Sequence, residues 1–218
     1  MTHSARDLLE RIQAELAPHD DDNRLVPLIS AGKAPKAVFA AIATEEKRIT
    51  LSDWRSFHAM AARADEPNAR LFFGGLAPGE QQANGMLDAL IKAAGPDHGK
   101  VRPRPGCQVY PAYVAWLALN GEQSEVVAGI FANFAAFGKY CKAVAEGMRE
   151  HYGFDDAACA FFDFFAADVP EIEEQALAAI QAGIDSHRLK ESEAFLFARL
   201  FQDYELMFWN TLADEFPG

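Results

Sequence analysis

Glu205 is the residue of this chain least in keeping with its neighbours. Phe201 lies one helical turn before it, and Phe208 and Trp209 lie one turn after, so all four share one side of a helix. A carboxylate on an apolar stripe costs on the order of several kcal/mol unless it is paired, protonated or facing a wet cavity. Burial also raises a carboxyl pKa, which suits general acid/base chemistry. The competing structural reading is a glutamate at the edge of the stripe, reaching solvent or pairing with an arginine. Tyr140 and Tyr113 add two further polar groups on apolar helices, although buried tyrosines serve mainly as core with the hydroxyl hydrogen-bonded. Asp163 and Asp168 lie among four phenylalanines. A helix with an acidic edge accounts for them, and Asp168 falls near the start of the next helix, where carboxylates are favoured.

Other chemistries find less support. None of the six histidines has a glutamate three positions earlier, the spacing used by di-iron bundles. His3, His19 and His98 fall at the terminus or in loops, and His58, His151 and His187 are isolated. Cys107, Cys141 and Cys159 are odd in number and form no CxxC pair, so they read as free buried thiols in a reducing compartment. No metal ligands and no cofactor are expected.

The elements that must position these residues are helices. Alternating β-branched runs are missing, and helical spacing recurs throughout. Helices are expected over residues 4–16, 24–31, 35–46, 50–64, 67–76, 78–94, 110–119, 124–152, 155–167, 170–184 and 187–215. Thr50-Leu51-Ser52-Asp53 reads as a capping box that opens a new helix, and Pro78 as a break between two helices. Residues 95–106 are rich in Gly and Pro and form a loop. The whole chain, 1–218, reads as one domain with residues 1–22 as a helical extension. The helix over 124–152 carries a wide apolar stripe that makes it central, and a bundle with such a helix leaves room for a ligand between helices.

Composition narrows the partners. Against 32 Asp and Glu stand 20 Lys and Arg, a net charge of −12. That charge repels phosphate backbones and anionic lipid, so no direct nucleic-acid binding and no membrane association are expected. The densest basic run, residues 100–104, falls in the loop. The start of the chain has no apolar core of signal-peptide type and no apolar run is long enough to span a bilayer, so a cytoplasmic location is expected.

The closing helix, Tyr204-Glu205-Leu206-Met207-Phe208-Trp209, resembles the Tyr-Glu-x-x-Phe-Trp ending of the TenA family, the thiaminase-II-like proteins. Ala112-Tyr113 with Trp116-Leu117 is similar to the family's Ala-Tyr segment, and Phe131 to Met148 resembles its central helix. The resemblance covers about residues 110–215, with weaker agreement around Trp54 to Leu76. It implies an all-α, heme-oxygenase-like helical bundle, assembled as a homodimer or larger homo-oligomer.

In thiaminase-type members a Cys is the nucleophile, a Glu on the last helix handles protons, an Asp anchors the pyrimidine and tyrosines shape the site. Carried over residue by residue, the resemblance puts Glu205 and Tyr140 in catalytic positions. Tyr113, Phe57, Phe208 and Ala136 take ligand-binding positions. Ala136 stands where the Cys would be, and the Asp falls on Ala61, with Asp65 one turn away. Cys141 does not replace the nucleophile, because five helical positions turn it roughly 140° away. Phe161 to Glu171 resembles the His-x3-Asp-x2-His helix of the superfamily's non-heme iron oxidases, but Phe164 and Glu171 stand in place of the histidines and only Asp168 remains.

Three functions follow. The first is binding or processing of a small heteroaromatic or amine ligand in a bundle-core pocket, without the nucleophilic Cys. The second is a non-catalytic regulatory or interaction protein, since TenA-like proteins are often labelled transcriptional regulators. The third, and the one the histidine pattern opposes, is a non-heme iron oxidase.

Overall fold

A computed structural model describes residues 4–17, 19, 22–97 and 102–218. Among them are nine helices and no strand: α1 (Ala5–Glu15), α2 (Leu25–Ser30), α3 (Val38–Arg63), α4 (Pro67–Ala94), α5 (Pro105–Asn120), α6 (Gln123–Tyr152), α7 (Asp156–Ala166), α8 (Pro170–Asp185) and α9 (Glu191–Glu215). Their ends follow local chemistry. Ser4 and Asp7 form a capping box at α1, Asp155 caps α7, and Glu66 caps α4 with Pro67 in its first turn. Gly153 ends α6 with φ of 69°, a left-handed conformation that suits glycine. No helix among the described residues is long and apolar enough to cross a membrane.

Two expected breaks are absent. Residues 35–64 were expected to form two helices meeting at a capping box, but α3 runs through it. The Thr50 hydroxyl donates to the Glu46 carbonyl at 2.8 Å and accepts from Asn84 Nδ2 of α4 at 2.7 Å. Its hydrogen bonds are thus satisfied inside the helix and across to α4, so it has no need to cap. Pro78 likewise lies inside α4. It donates no bond to Gly74, but Gly74 carries no side chain, and α4 is held along its length against α3. Tertiary packing overrides both local stop signals. The expected start of α5 at Tyr110 moves back to Pro105, and that of α9 forward from His187 to Glu191. His3 and His98 lie outside the described residues, as do Lys100 and Val101 of the basic run.

The core has two clusters. One gathers Phe57, Phe72, Phe73, Val114, Phe197 and Phe201, together with the fully buried Leu8 and Ile12 of α1. The other gathers Phe39, Ile42, Cys141, Met148, Phe161, Phe162 and Trp209. Helix α6 touches both and packs against α7, α8 and α9. Its small residues set the spacing. A side chain at Gly147 would come within 2.9 Å of the Ile29 carbonyl oxygen on α2, and one at Gly129 within 3.1 Å of Phe197 Cβ on α9.

Of the described residues of the basic run, Arg104 is buried. Its guanidinium donates to Glu45 at 3.1 Å, Asp97 at 2.9 Å and Glu215 at 2.8 and 2.9 Å. Its backbone N–H also donates to Glu45 at 3.0 Å, which accepts again from Gln108 at 2.7 Å. This knot fixes the start of α5 to α3 and to the end of α9. Removing one member of a buried ionic network leaves uncompensated charge, at a cost of about 3–5 kcal/mol. We expect Arg104→Met to lose about that much in urea unfolding, whereas Arg11→Ala, which breaks an exposed pair with Glu191, costs under about 1 kcal/mol.

Candidate functional site

A cavity of about 850 Å³ opens between the helices where the two clusters meet. Phe57 and Ile130 of one cluster and Ile49 and Phe208 of the other all line it. The continuity of α3 sets its polar wall. Glu46, Thr50 and Asp53 fall four and then three residues apart, so one face of an unbroken helix brings all three to the cavity. Helix α4 adds Glu80, α5 adds Tyr110, α6 adds Asn133 and α9 adds Glu205. Phe131, Phe134, Phe137 and Phe164 complete a largely aromatic lining.

Glu205 is buried and accepts from Asn133 Nδ2 at 2.6 Å and from Trp209 Nε1 at 3.3 Å. Burial pushes its pKa up to about 7, against the opposing pull of those two donors. Burial pushes Glu80 up to about 8. Glu46 and Asp53 are held well above the usual carboxylate range, first by burial and then by repulsion from Glu80 and from other acids around them. Tyr110 is pushed up by burial and then by Asp53 and Glu205. Among the described residues no Lys, Arg or His forms an ion pair with Glu46, Asp53, Glu80 or Glu205. Lys139 and Lys142 border the cavity but are exposed. Two buried oxygens, Asp53 Oδ1 and Asn133 Oδ1, have no hydrogen-bond partner.

The residues singled out from sequence are divided by the fold. Glu205, Phe57 and Phe208 line the cavity. Tyr113 does not: it lines a separate groove with Trp116 and Tyr204. Tyr140 packs its ring 6.2 Å from Trp209, behind Glu205, and burial first, then the Glu205 charge, push it up to about 12. Ala135 borders the cavity, while its neighbour Ala136 is not among the lining residues. Ala61 and Asp65 are also away from the cavity, and Asp65 is exposed and paired with Arg188 at 2.9 Å.

Sequence reasoning missed Glu46, Asp53, Glu80, Tyr110 and Asn133. The spacing of Glu46, Thr50 and Asp53 was the available signal, and the capping-box reading of residues 50–53 hid it. The three cysteines are free and buried, their thiols are pushed up chiefly by burial, and none reaches the cavity. Asp163 is bound by Arg149 at 2.6 Å on the exposed side of α7, and Asp168 stands at the outer border of the cavity.

The groups associated with this fold do not fit these residues. Among the described residues, no three His, Cys, Asp or Glu side chains are grouped closely enough to hold a metal ion. Among the described residues no histidine lines the cavity to ligate a heme, and His58 is exposed against Trp54.

An all-α bundle with a carboxylate-lined core cavity is the class this geometry defines, and solved structures give it relatives. The chain resembles a TenA homologue from Pyrococcus furiosus at 16% identity and a TM-score of 0.68, covering 97% of this chain and 100% of that one. A TenA family transcription regulator from Silicibacter matches at 16% identity and 0.69, covering 94% and 96%. A domain of unknown function with a heme oxygenase-like fold from Shewanella denitrificans matches at 16% and 0.64, covering 96% and 88%. The chain therefore has the heme-oxygenase-like fold, in a form it shares with TenA homologues over nearly its whole length. No family model matches the sequence, and no curated protein does.

The cavity acids make stability depend on pH. A carboxyl whose pKa rises on folding keeps its proton in the native chain where the unfolded chain has lost it. The native state then binds more protons, and stability falls as pH climbs from the ordinary value of 4.5 through about 7 for Glu205 and about 8 for Glu80. Urea unfolding across that window is expected to show this fall. Glu205→Gln and Glu80→Gln should each flatten it, by up to about 3 and about 5 kcal/mol respectively.

Proposed function

We propose that this protein binds or processes a small heteroaromatic or amine ligand in its core cavity, with Glu205 as the polar anchor or proton shuttle. The observation that carries this reading is a buried glutamate held by Asn133 and Trp209 at the wall of a cavity of about 850 Å³ with an aromatic lining. That volume lies within the range of small-molecule sites. A carboxyl titrating at about 7 is present in both forms near neutrality. The neutral form donates to a ring nitrogen or leaving amine, and the anion accepts from an ammonium or an attacking water. Trp209 and Asn133 hold the carboxylate in place for that exchange, and Tyr140 supports Trp209 from behind.

No nucleophile accompanies Glu205. Ala136 stands at the position that the resemblance gives to the Cys, and the three thiols lie elsewhere in the core. Hydrolase-like acid/base chemistry without a covalent intermediate is what this arrangement supports, rather than ordinary thiaminase chemistry. A cytoplasmic setting suits three free cysteines. Self-association belongs to the same reading: Trp116, Leu119 and Leu196 are large exposed apolar residues, and Trp116 and Leu196 border one groove.

Calorimetry with aminopyrimidines, aromatic amines and aliphatic amines tests the ligand site. Binding with one site per chain is expected, weakened about tenfold or more by Glu205→Gln, and absence of binding by any such compound to the folded protein would refute the reading. Light scattering is expected to find a dimer or larger species that Trp116→Glu shifts towards monomer.

A further inference from the structure

We infer that the guest of the core cavity is a polycation, a linear di- or triamine whose ammonium groups meet the carboxylates of α3, α4 and α9 while its methylenes lie on the aromatic walls. This rests on the reading of the cavity as a ligand site and names the class of ligand.

Four acids, Glu46, Asp53, Glu80 and Glu205, border one cavity, and no cation among the described residues pairs with them. As anions these carboxylates would cost several kcal/mol each to desolvate, so without a partner burial favours their neutral forms, and a cationic guest would supply the partner that the anions lack. Asp53 is the sharpest case. Only 3% of its surface is exposed, it faces the cavity, and its Oδ1 has no partner. Asn133 repeats the pattern on α6. Its Nδ2 is committed to Glu205, and its Oδ1, buried and without a partner, is an acceptor that only a donor can satisfy. Two unmatched acceptors on different helices call for a guest rich in N–H donors.

The layout selects among such guests. Glu46 and Asp53 are seven residues apart on one face of α3, about 10 Å along the axis. A single ammonium cannot serve both, whereas a chain with charges at intervals can. The cavity is also lined by Ile49, Phe57, Phe131, Phe134 and Phe208, apolar side chains that suit methylene segments and rings that can meet ammonium groups. A bare metal ion suits the site poorly, since no three of the acids are grouped closely enough to ligate one. The chain's net charge of −12 attracts cations to the molecule as a whole.

Protons move when such a guest enters. Glu80, with a pKa of about 8, is mostly protonated in the empty cavity at neutral pH, and Glu205, at about 7, is about half protonated. An ammonium stabilises the anion, so these carboxyls lose protons to solvent and binding strengthens as pH rises through that range.

The test is calorimetry on the full chain with spermidine, butylamine, a neutral aminopyrimidine and Mn²⁺, in buffers of differing ionisation heat. Spermidine is expected to bind at one site per chain, about tenfold or more tighter than butylamine. It should release protons and gain affinity between about pH 6 and 8. Asp53→Asn and Glu80→Gln, near-isosteric changes whose folding is checked by circular dichroism, should each weaken spermidine about tenfold or more. Spermidine binding that neither variant changes would mean attraction to the acidic surface and would overturn the inference. Aminopyrimidine binding without spermidine binding would also overturn it, while leaving the cavity as a ligand site. Saturable Mn²⁺ binding that is lost in Asp53→Asn, with no spermidine binding, would overturn it in favour of a metal. If none of the four binds the folded protein, both the inference and the ligand-site reading fail.

Discussion

Desolvation of carboxylates is the constraint around which this bundle is organised. An apolar helical core gains by excluding water, yet this one places four acids at the wall of an internal space. They are tolerated because burial lets them hold their protons and because the cavity leaves their oxygens somewhere to point. Glu205 is the best supported, by Asn133 and Trp209. Asp53 is the least, with one oxygen unmet.

Two features of the scaffold hold those acids where they are. Helix α3 passes unbroken through residues 50–53, which keeps Glu46 and Asp53 on one face, and the Thr50–Asn84 bond ties that stretch to the helix carrying Glu80. The Arg104 knot joins α3, α5 and the end of α9, the helices of Glu46, Tyr110 and Glu205. Its charges are compensated by direct contact, in contrast to those of the cavity only one residue along α3: Glu45 meets a guanidinium and Glu46 meets open space. Neighbouring residues of one type, turned about 100° apart on a helix, serve structure in one case and the cavity in the other.

The likeness to TenA homologues extends over nearly the whole chain at 16% identity or less, so one fold is built from mostly different side chains. A bundle needs only apolar volume and helical period to accommodate such differences. The chemistry of its cavity has no such tolerance, which is why this cavity has to be read from its own residues.

The all-α class, the central α6 and the anomaly of Glu205 were legible in the sequence, because period and polarity are local properties that each helix carries in its own residues. Phe57 and Phe208 followed from the resemblance and do reach the cavity. The continuity of α3 and α4 was not legible: Thr50 and Pro78 carry honest local stop signals, and only contact between the two helices overrides them. The rest of the acid set was hidden for the same reason. Glu46, Asp53 and Glu80 look like ordinary surface acids until packing turns them inward, and Tyr113 looks like a site residue until packing turns it into another groove. The sequence by itself determined a helical bundle with one misplaced carboxylate. Which acids share a cavity, and which of them lack a partner, was decided by tertiary structure, since desolvation depends on neighbours contributed by distant segments of the chain.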